Sequence, residues 1–217
     1  MLVDQDRKLL TMRARHSSRS RGFTLIELLV TIAVFALILF AALPSLGTWT
    51  DNTRIRNVAG ALQDGIQLAR SEAIRRNQGI SFWLVNIDNP AVLSNDCTLL
   101  STSGSWVVSV NSPVGHCADA PSIDSSPMLV TGRPVGDAGG RVSVTAVQSA
   151  SSSTAATTIT FDGFGRIANS GAIGQIDITG TTSGVNYRNL RVVVTPGGQV
   201  RMCDPDSGVA STDPRKC

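Results

Sequence analysis

The chain has 217 residues, 42% of them apolar, 16% charged and 5% aromatic, with a formal net charge of +3. It is too apolar and too weakly charged for an intrinsically disordered chain, and its length allows one ordinary domain with an additional segment. The positive charge is no argument for a nucleic-acid-binding domain: Arg7, Lys8, Arg13, Arg15, Arg19 and Arg21 crowd the first 22 positions against only Asp4 and Asp6, and the remainder carries 13 basic and 14 acidic residues, a net of −1.

Residues 1–22 are polar and basic, without apolar periodicity. Residues 23–43 (FTLIELLVTIAVFALILFAAL) are apolar with a single charge, Glu27. A helix of that length spans ~30 Å, the thickness of a bilayer core. The basic flank places residues 1–22 on the cytoplasmic side and the remainder outside. A secretory signal peptide is the competing reading, but its apolar region is usually ~7–15 residues and ends at small residues. Pro44 removes one helical hydrogen bond and is expected to kink the helix. The apolar pattern resumes at Ile55, Val58, Ala59, Leu62, Ile66, Ala69, Ala73 and Ile74, one face of an amphipathic helix, and Asn77 and Gly79 mark its stop. Residues 24–77 therefore read as one kinked helix of roughly 80 Å, apolar all round in its first half.

From residue 80 the period changes to two. Strands are expected at 80–85, 105–110, 128–130, 141–147, 157–161, 173–178, 190–195 and 199–202. Asp162-Gly163 and Pro196-Gly197-Gly198 are turn signals between neighbouring strands and predict two hairpins. Residues 149–154 read as a low-complexity loop. The fold class is α+β: a long N-terminal helix packed on an antiparallel β domain.

Cys97, Cys117, Cys203 and Cys217 lack the C-x-x-C spacing of a zinc site, and an even count after an export-like N-terminus favours disulfides. Of three pairings, Cys97–Cys117 with Cys203–Cys217 closes the shortest loops and is the expected one. No metal, cofactor or catalytic residue is expected. His16 lies in the basic leader, His116 adjoins Cys117 in a disulfide loop, and there is no phosphate-binding G-x-x-x-x-G-K-[ST] loop.

The functional signal is Arg21-Gly22-Phe23-Thr24-Leu25-Ile26-Glu27: a basic tail meets an apolar helix at a glycine, with a carboxylate just inside. Gly22 offers a small, flexible peptide bond that a protease can reach. Cleavage after it would free the amine of Phe23 one helical turn from Glu27. A carboxylate in a membrane helix costs roughly 2.5–3.5 kcal/mol near the centre and less near an end, so it calls for a compensating positive group. This segment resembles the leader-peptide site of type IV pilins and type II secretion pseudopilins. The resemblance implies a pilin-like fold, cleavage between Gly22 and Phe23 by a prepilin peptidase, N-methylation of Phe23, and a part for Glu27 in docking the subunit into a filament. It divides the chain into a cleaved leader (1–22), the transmembrane half of the helix (23–43), an amphipathic half (44–79) and a periplasmic β domain with a stapled tail (80–217). The chain would then be a single-pass protein of the bacterial inner membrane, and part of a filament after assembly.

The segments 68–77, 161–166 and 192–203 are similar to minor pilins and pseudopilins of the GspH/FimT group, which implies a low-abundance subunit that helps to prime assembly. A type IV minor pilin is the first expectation and a type II secretion pseudopilin the second; other pilins or pseudopilins are the implied partners. Some pilins of this group bind DNA through a Gly-Arg-x-Arg motif. The matching stretch is Gly198-Gln199-Val200-Arg201, with Gln199 in place of the first arginine. A DNA-binding tip would use Arg201, Arg191, Arg215 and Lys216, at the cost of one phosphate contact. The competing account of these residues is a solvated tail stapled for stability.

Overall fold

In a computed structural model the chain is described over residues 22–149 and 151–217, with the side chains of 41–46 and 137 outside the description. It divides into two compact units, up to Leu43 and from Pro44 to Cys217. Residues 1–21 of the expected leader (1–22) lie outside the described residues. One helix, α1 (Leu25–Arg76), begins in the first unit and ends in the second. The helix runs through Pro44, and the side chain of Pro44, where a kink is expected, lies outside the described residues.

In the first unit, α1 starts with a reciprocal cap. Glu27 N–H donates to Thr24 Oγ1 (3.3 Å) and Thr24 N–H donates to Glu27 Oε2 (3.5 Å). This Thr-x-x-Glu capping box satisfies two of the amides that every helix start leaves unpaired. The residues that follow are apolar on every side and exposed, from Leu25 to Phe40. Among the described residues no helix is long and apolar enough to cross a membrane.

In the second unit the helix is one-sided. Ile55, Val58, Ala59, Leu62, Ile66, Ala69 and Ala73 are buried at three- and four-residue steps. Ile74 departs from the expected stripe and is 49% exposed. One residue past Ala73 is a rotation of about 100°, which carries Ile74 off the core and onto the turn at Gly165. Gly65 lies where the helix passes over the indole of Trp106; a Cβ there would stand 2.8 Å from its ring. The helix ends in a Schellman motif: Asn77 takes φ 48°, Gln78 N–H donates to Ala73 O and Asn77 N–H to Ile74 O.

Two antiparallel sheets follow. The first contains β1 (Ile80–Asn86), β2 (Thr98–Leu99), β3 (Trp106–Ser109), β4 (Leu129–Arg133) and β6 (Thr158–Phe161). The second runs β5 (Val142–Val147), β7 (Gln175–Gly180), β8 (Leu190–Val194), β9 (Val200–Cys203). Phe82, Leu84, Trp106, Ile159 and Phe161 from the first sheet share one core with Val144, Ile176, Ile178 and Val192 from the second and with the buried stripe of α1. The first sheet is buried on both faces. Its reverse side, at Val85, Val107 and Leu129, makes a second small core with Cys97 and Cys117.

The expected hairpin at 195–199 joins β8 to β9, with Val194 opposite Val200. The one at Asp162-Gly163 is not a hairpin between strands. The 162–166 turn closes on a single bridge from Phe161 to Ile167, and the chain then crosses to β7 in the other sheet. Turn chemistry fixed the reversal there, but which sheet the next strand joins is a tertiary matter.

Candidate functional site

Two regions carry the residues that the sequence singles out, one in each unit. At the start of the first, Gly22 has nothing within 4 Å of where a Cβ would stand, and Phe23 is 80% exposed. Both residues are exposed among the described residues. Glu27 is already engaged, by the capping box with Thr24. That role was legible in the sequence, since Ser/Thr-x-x-Glu before an apolar run is a helix-start signature.

In the second unit, β8 and β9 set the basic residues in register. Arg191 stands opposite Cys203, and Val193 opposite Arg201. Residues two apart share a face of a strand, so Arg191 and Arg201 lie diagonally on the outer face, while Val192, Val194, Val200 and Met202 turn to the core. Arg191 is committed to the adjacent strand: its Nε donates to Asp177 Oδ1 at 2.6 Å, and Gln175 Nε2 holds the other oxygen at 2.6 Å. Arg201 is exposed, with no hydrogen bond or ion pair among the described residues.

The tail returns to β9 through the Cys203–Cys217 disulfide. Backbone bonds link Asp204 N–H to Arg215 O and Cys217 N–H to Asp204 O. Arg215 is spent locally: its Nε and Nη2 donate to the two oxygens of Asp213 at 3.0 and 2.6 Å. Those hydrogen bonds, with the Arg215 amide, hold the Asp213 carboxyl down to about 2. Lys216 Nζ donates to the carbonyl of Asp206. Of the four basic residues expected at a DNA-binding tip, three thus have partners within the domain.

The other disulfide joins Cys97 to Cys117 in the small core. It leaves no thiol beside His116, whose Nδ1 lies 2.8 Å from Asp119 Oδ2. Among the described residues no group of His, Cys, Asp and Glu could hold a metal. The three segments with family resemblance meet at the end of α1. Arg70 Nε donates to Gly165 O at 2.9 Å and Arg70 Nη2 to Gly197 O at 3.4 Å, so one helix residue fastens both turns. The glycines are needed there, because a Cβ on Gly198 would stand 2.1 Å from Gly165 O. Glu72 forms ion pairs with Arg75 and Arg76 at 2.6 and 2.7 Å, chiefly through the Arg75 hydrogen bond, and its carboxyl is lowered accordingly.

Comparison with known proteins gives the family. The model of the type II transport protein GspH matches residues 58–198, and that of the prokaryotic N-terminal methylation motif matches residues 17–43. No curated protein matches. Among solved structures the chain is similar to the type IV minor pilin FimU of Pseudomonas aeruginosa in two crystal forms, with TM-scores of 0.45 and 0.41 and 14% identity in each. The matches cover 75% and 72% of this chain and 97% of the FimU chain in both. With the methylation motif at the head of its helix and the GspH model spanning more than half of its length, the chain belongs to the GspH family of pilin and pseudopilin subunits.

Proposed function

We propose that the chain is a minor pilin that enters, and helps to prime, a type IV pilus. In this reading residues 1–22 are a leader removed by a prepilin peptidase after Gly22, and Phe23 becomes the methylated N-terminus. Residues 23–43 anchor the subunit in the inner membrane, and 44–217 lie in the periplasm. The observation that carries it is the Arg21–Glu27 motif at the head of a helix whose apolar side chains from Leu25 to Phe40 are exposed among the described residues. Exposed apolar surface on that scale needs a membrane or neighbouring helices. The stapled C-terminal tail leans the reading toward the pilus.

Gly22→Arg tests the leader: the expected result is an uncleaved precursor on immunoblots, and normal processing would sink the proposal. Glu27→Ala should still insert but fail to join the filament, because the amine of a neighbouring subunit would lose its carboxylate partner.

A second reading, a type II secretion pseudopilin, has support in the description of the matching family as a type II transport protein. Cross-linking of the full-length protein in its own membrane, followed by mass spectrometry, separates the two. Type IV pilins among the products support the first reading and secretion pseudopilins the second. A DNA-receptor role would lean on Arg201 above all. It requires that Arg201→Ala weaken duplex binding and reduce its salt dependence, and it fails if no binding appears at low salt.

A further inference from the structure

Three arginines from separate parts of the second unit converge on a cleft of about 220 Å³ lined by Asn52, Arg56, Arg188, Leu190, Met202, Cys203, Asp204 and Arg215. Each is delivered by an identifiable contact. Asn52 and Arg56 are one turn apart on α1, and Asn52 Oδ1 accepts the Arg188 amide at 2.8 Å, which lays that loop beside Arg56. The Cys203–Cys217 disulfide returns Arg215 to the same rim. Two of the three charges are paired within the fold, Arg188 with Asp204 and Arg215 with Asp213, and the third, on Arg56, is not. Arg56 is exposed and makes no hydrogen bond or ion pair among the described residues. Arg188 Nε lies 3.4 Å from Asp204 Oδ2, and its two terminal nitrogens make no hydrogen bond among the described residues. Asp204 is buried and spends Oδ1 on the Asp206 amide, while Asp213 is held by Arg215.

The floor, in contrast, is apolar, with Leu190 and Met202. A charged rim over an apolar floor suits an amphiphile better than a simple ion. Trp49 points to where that amphiphile would come from. It lies three residues before Asn52 and seven before Arg56, on the same stripe of α1, and is 68% exposed. An exposed tryptophan six residues after an apolar segment is the side chain that settles at the headgroup level of a bilayer. We propose that this cleft binds the phosphodiester headgroup of an anionic glycerophospholipid, with Arg56 and Arg188 on the phosphate and Leu190 and Met202 under the glycerol. The inference rests on the proposed membrane anchoring of residues 23–43. It gives the subunit a docked resting place in the membrane before assembly.

The test uses the full chain in neutral detergent micelles doped with either phosphatidylglycerol or phosphatidylcholine, with native mass spectrometry counting retained lipid. Phosphatidylglycerol should be retained preferentially. Arg56→Gln and Arg188→Gln should each weaken it about tenfold, the loss expected for one charge-assisted hydrogen bond. Arg133→Gln, on a different cleft, should leave it unchanged. Arg56 is exposed, so its variant decides the matter even if loss of Arg188 beside buried Asp204 disturbs folding. Equal retention of both lipids overturns the proposal. So does inorganic phosphate that displaces the lipid at equal concentration, which would make this a site for a free oxyanion. Carbonate extraction of membranes tests the anchor separately: a chain that is extracted fails the anchoring reading, whereas one that resists extraction and shows no lipid preference fails only the cleft.

Discussion

The two halves of α1 are built from the same residue types and meet opposite fates. Leu29 is 54% exposed and Ile32 57%, whereas Leu62 and Ile66 are fully buried. The difference is one of pattern. Apolar residues surround the first half and cannot all face one partner, so a single domain could not cover them. In the second half they return every three or four positions and lie along one stripe, which the two sheets cover. A helix thus records in its periodicity whether its partner is its own chain or something outside it.

The largest effect should come from cutting a side chain out of that stripe. Leu62→Ala should lower the unfolding free energy of the domain by about 2–5 kcal/mol, by lost transfer energy and by the cavity left behind. Leu29→Ala should change it by no more than about 0.5 kcal/mol, because Leu29 is an exposed side chain. Urea titration of the full chain in micelles, followed by near-ultraviolet circular dichroism, measures both. Equal losses would mean that the first half also packs on the domain, and the contrast would be void.

Next in size is the tail. Replacing Cys203 and Cys217 together by serine should cost about 3 kcal/mol, the loop-closure value for a ring of about 15 residues. The same pair of substitutions at Cys97 and Cys117 adds a packing loss, since those sulfurs are buried in the small core. The two double variants, compared by thermal unfolding under oxidising conditions, should therefore rank with Cys97–Cys117 the more costly. The reverse order would show that the tail, not the small core, holds the domain together.

Most of this architecture was legible in the sequence, for reasons that local pattern explains. The helix bounds, the eight longer strands and the 195–199 hairpin follow from the switch between periods of 3.6 and 2 and from the glycines at the turns. What escaped depended on neighbours distant in sequence. The two-residue β2 exists because β1 offers Val85 and Asn86 as partners, and nothing within Thr98–Leu99 announces it. The crossing after Asp162-Gly163 depends on which sheet has an open place. The arginine cleft gathers residues from positions 52–56, 188–190 and 202–215, and its key contact, Asn52 with the Arg188 amide, spans 136 residues. At the N-terminus the reverse held: the methylation motif was readable because the residues that carry it, Arg21 to Glu27, are consecutive.

The glycines of the second half sharpen the contrast further, with changes of opposite sign. A Cβ at Gly65 would meet the Trp106 and Phe82 rings at 2.8 and 2.9 Å, so Gly65→Ala must push the helix off the sheet, at about 1–3 kcal/mol. At Gly60 a Cβ would meet nothing within 4 Å. Gly60→Ala should therefore stabilise by about 0.5–1 kcal/mol through helix propensity alone. Differential scanning calorimetry of the two variants should show midpoints displaced in opposite directions. A loss at Gly60 would mean that the helix packs more closely there than the open space beside it implies.

The smallest effect is electrostatic and concerns the tail rather than the core. The Arg215 hydrogen bonds hold Asp213 near a pKa of about 2, below the ordinary value of 3.8. A depressed carboxyl binds its proton less readily in the folded state than in the unfolded one. Its contribution is therefore complete above about pH 4 and is lost as pH falls from there toward 2. The pair is exposed, so the gain is modest and screened by salt. Carbon-detected titration of the Asp213 carboxyl should give a midpoint near 2 in the native chain and a higher one in Arg215→Gln, still below about 3.9 because the amide of residue 215 continues to donate to it. A wild-type midpoint already at the ordinary value would mean that the tail does not hold Arg215 against Asp213. Arg215 would then be free to swing, and the rim of the arginine cleft would be assembled only when its ligand arrives.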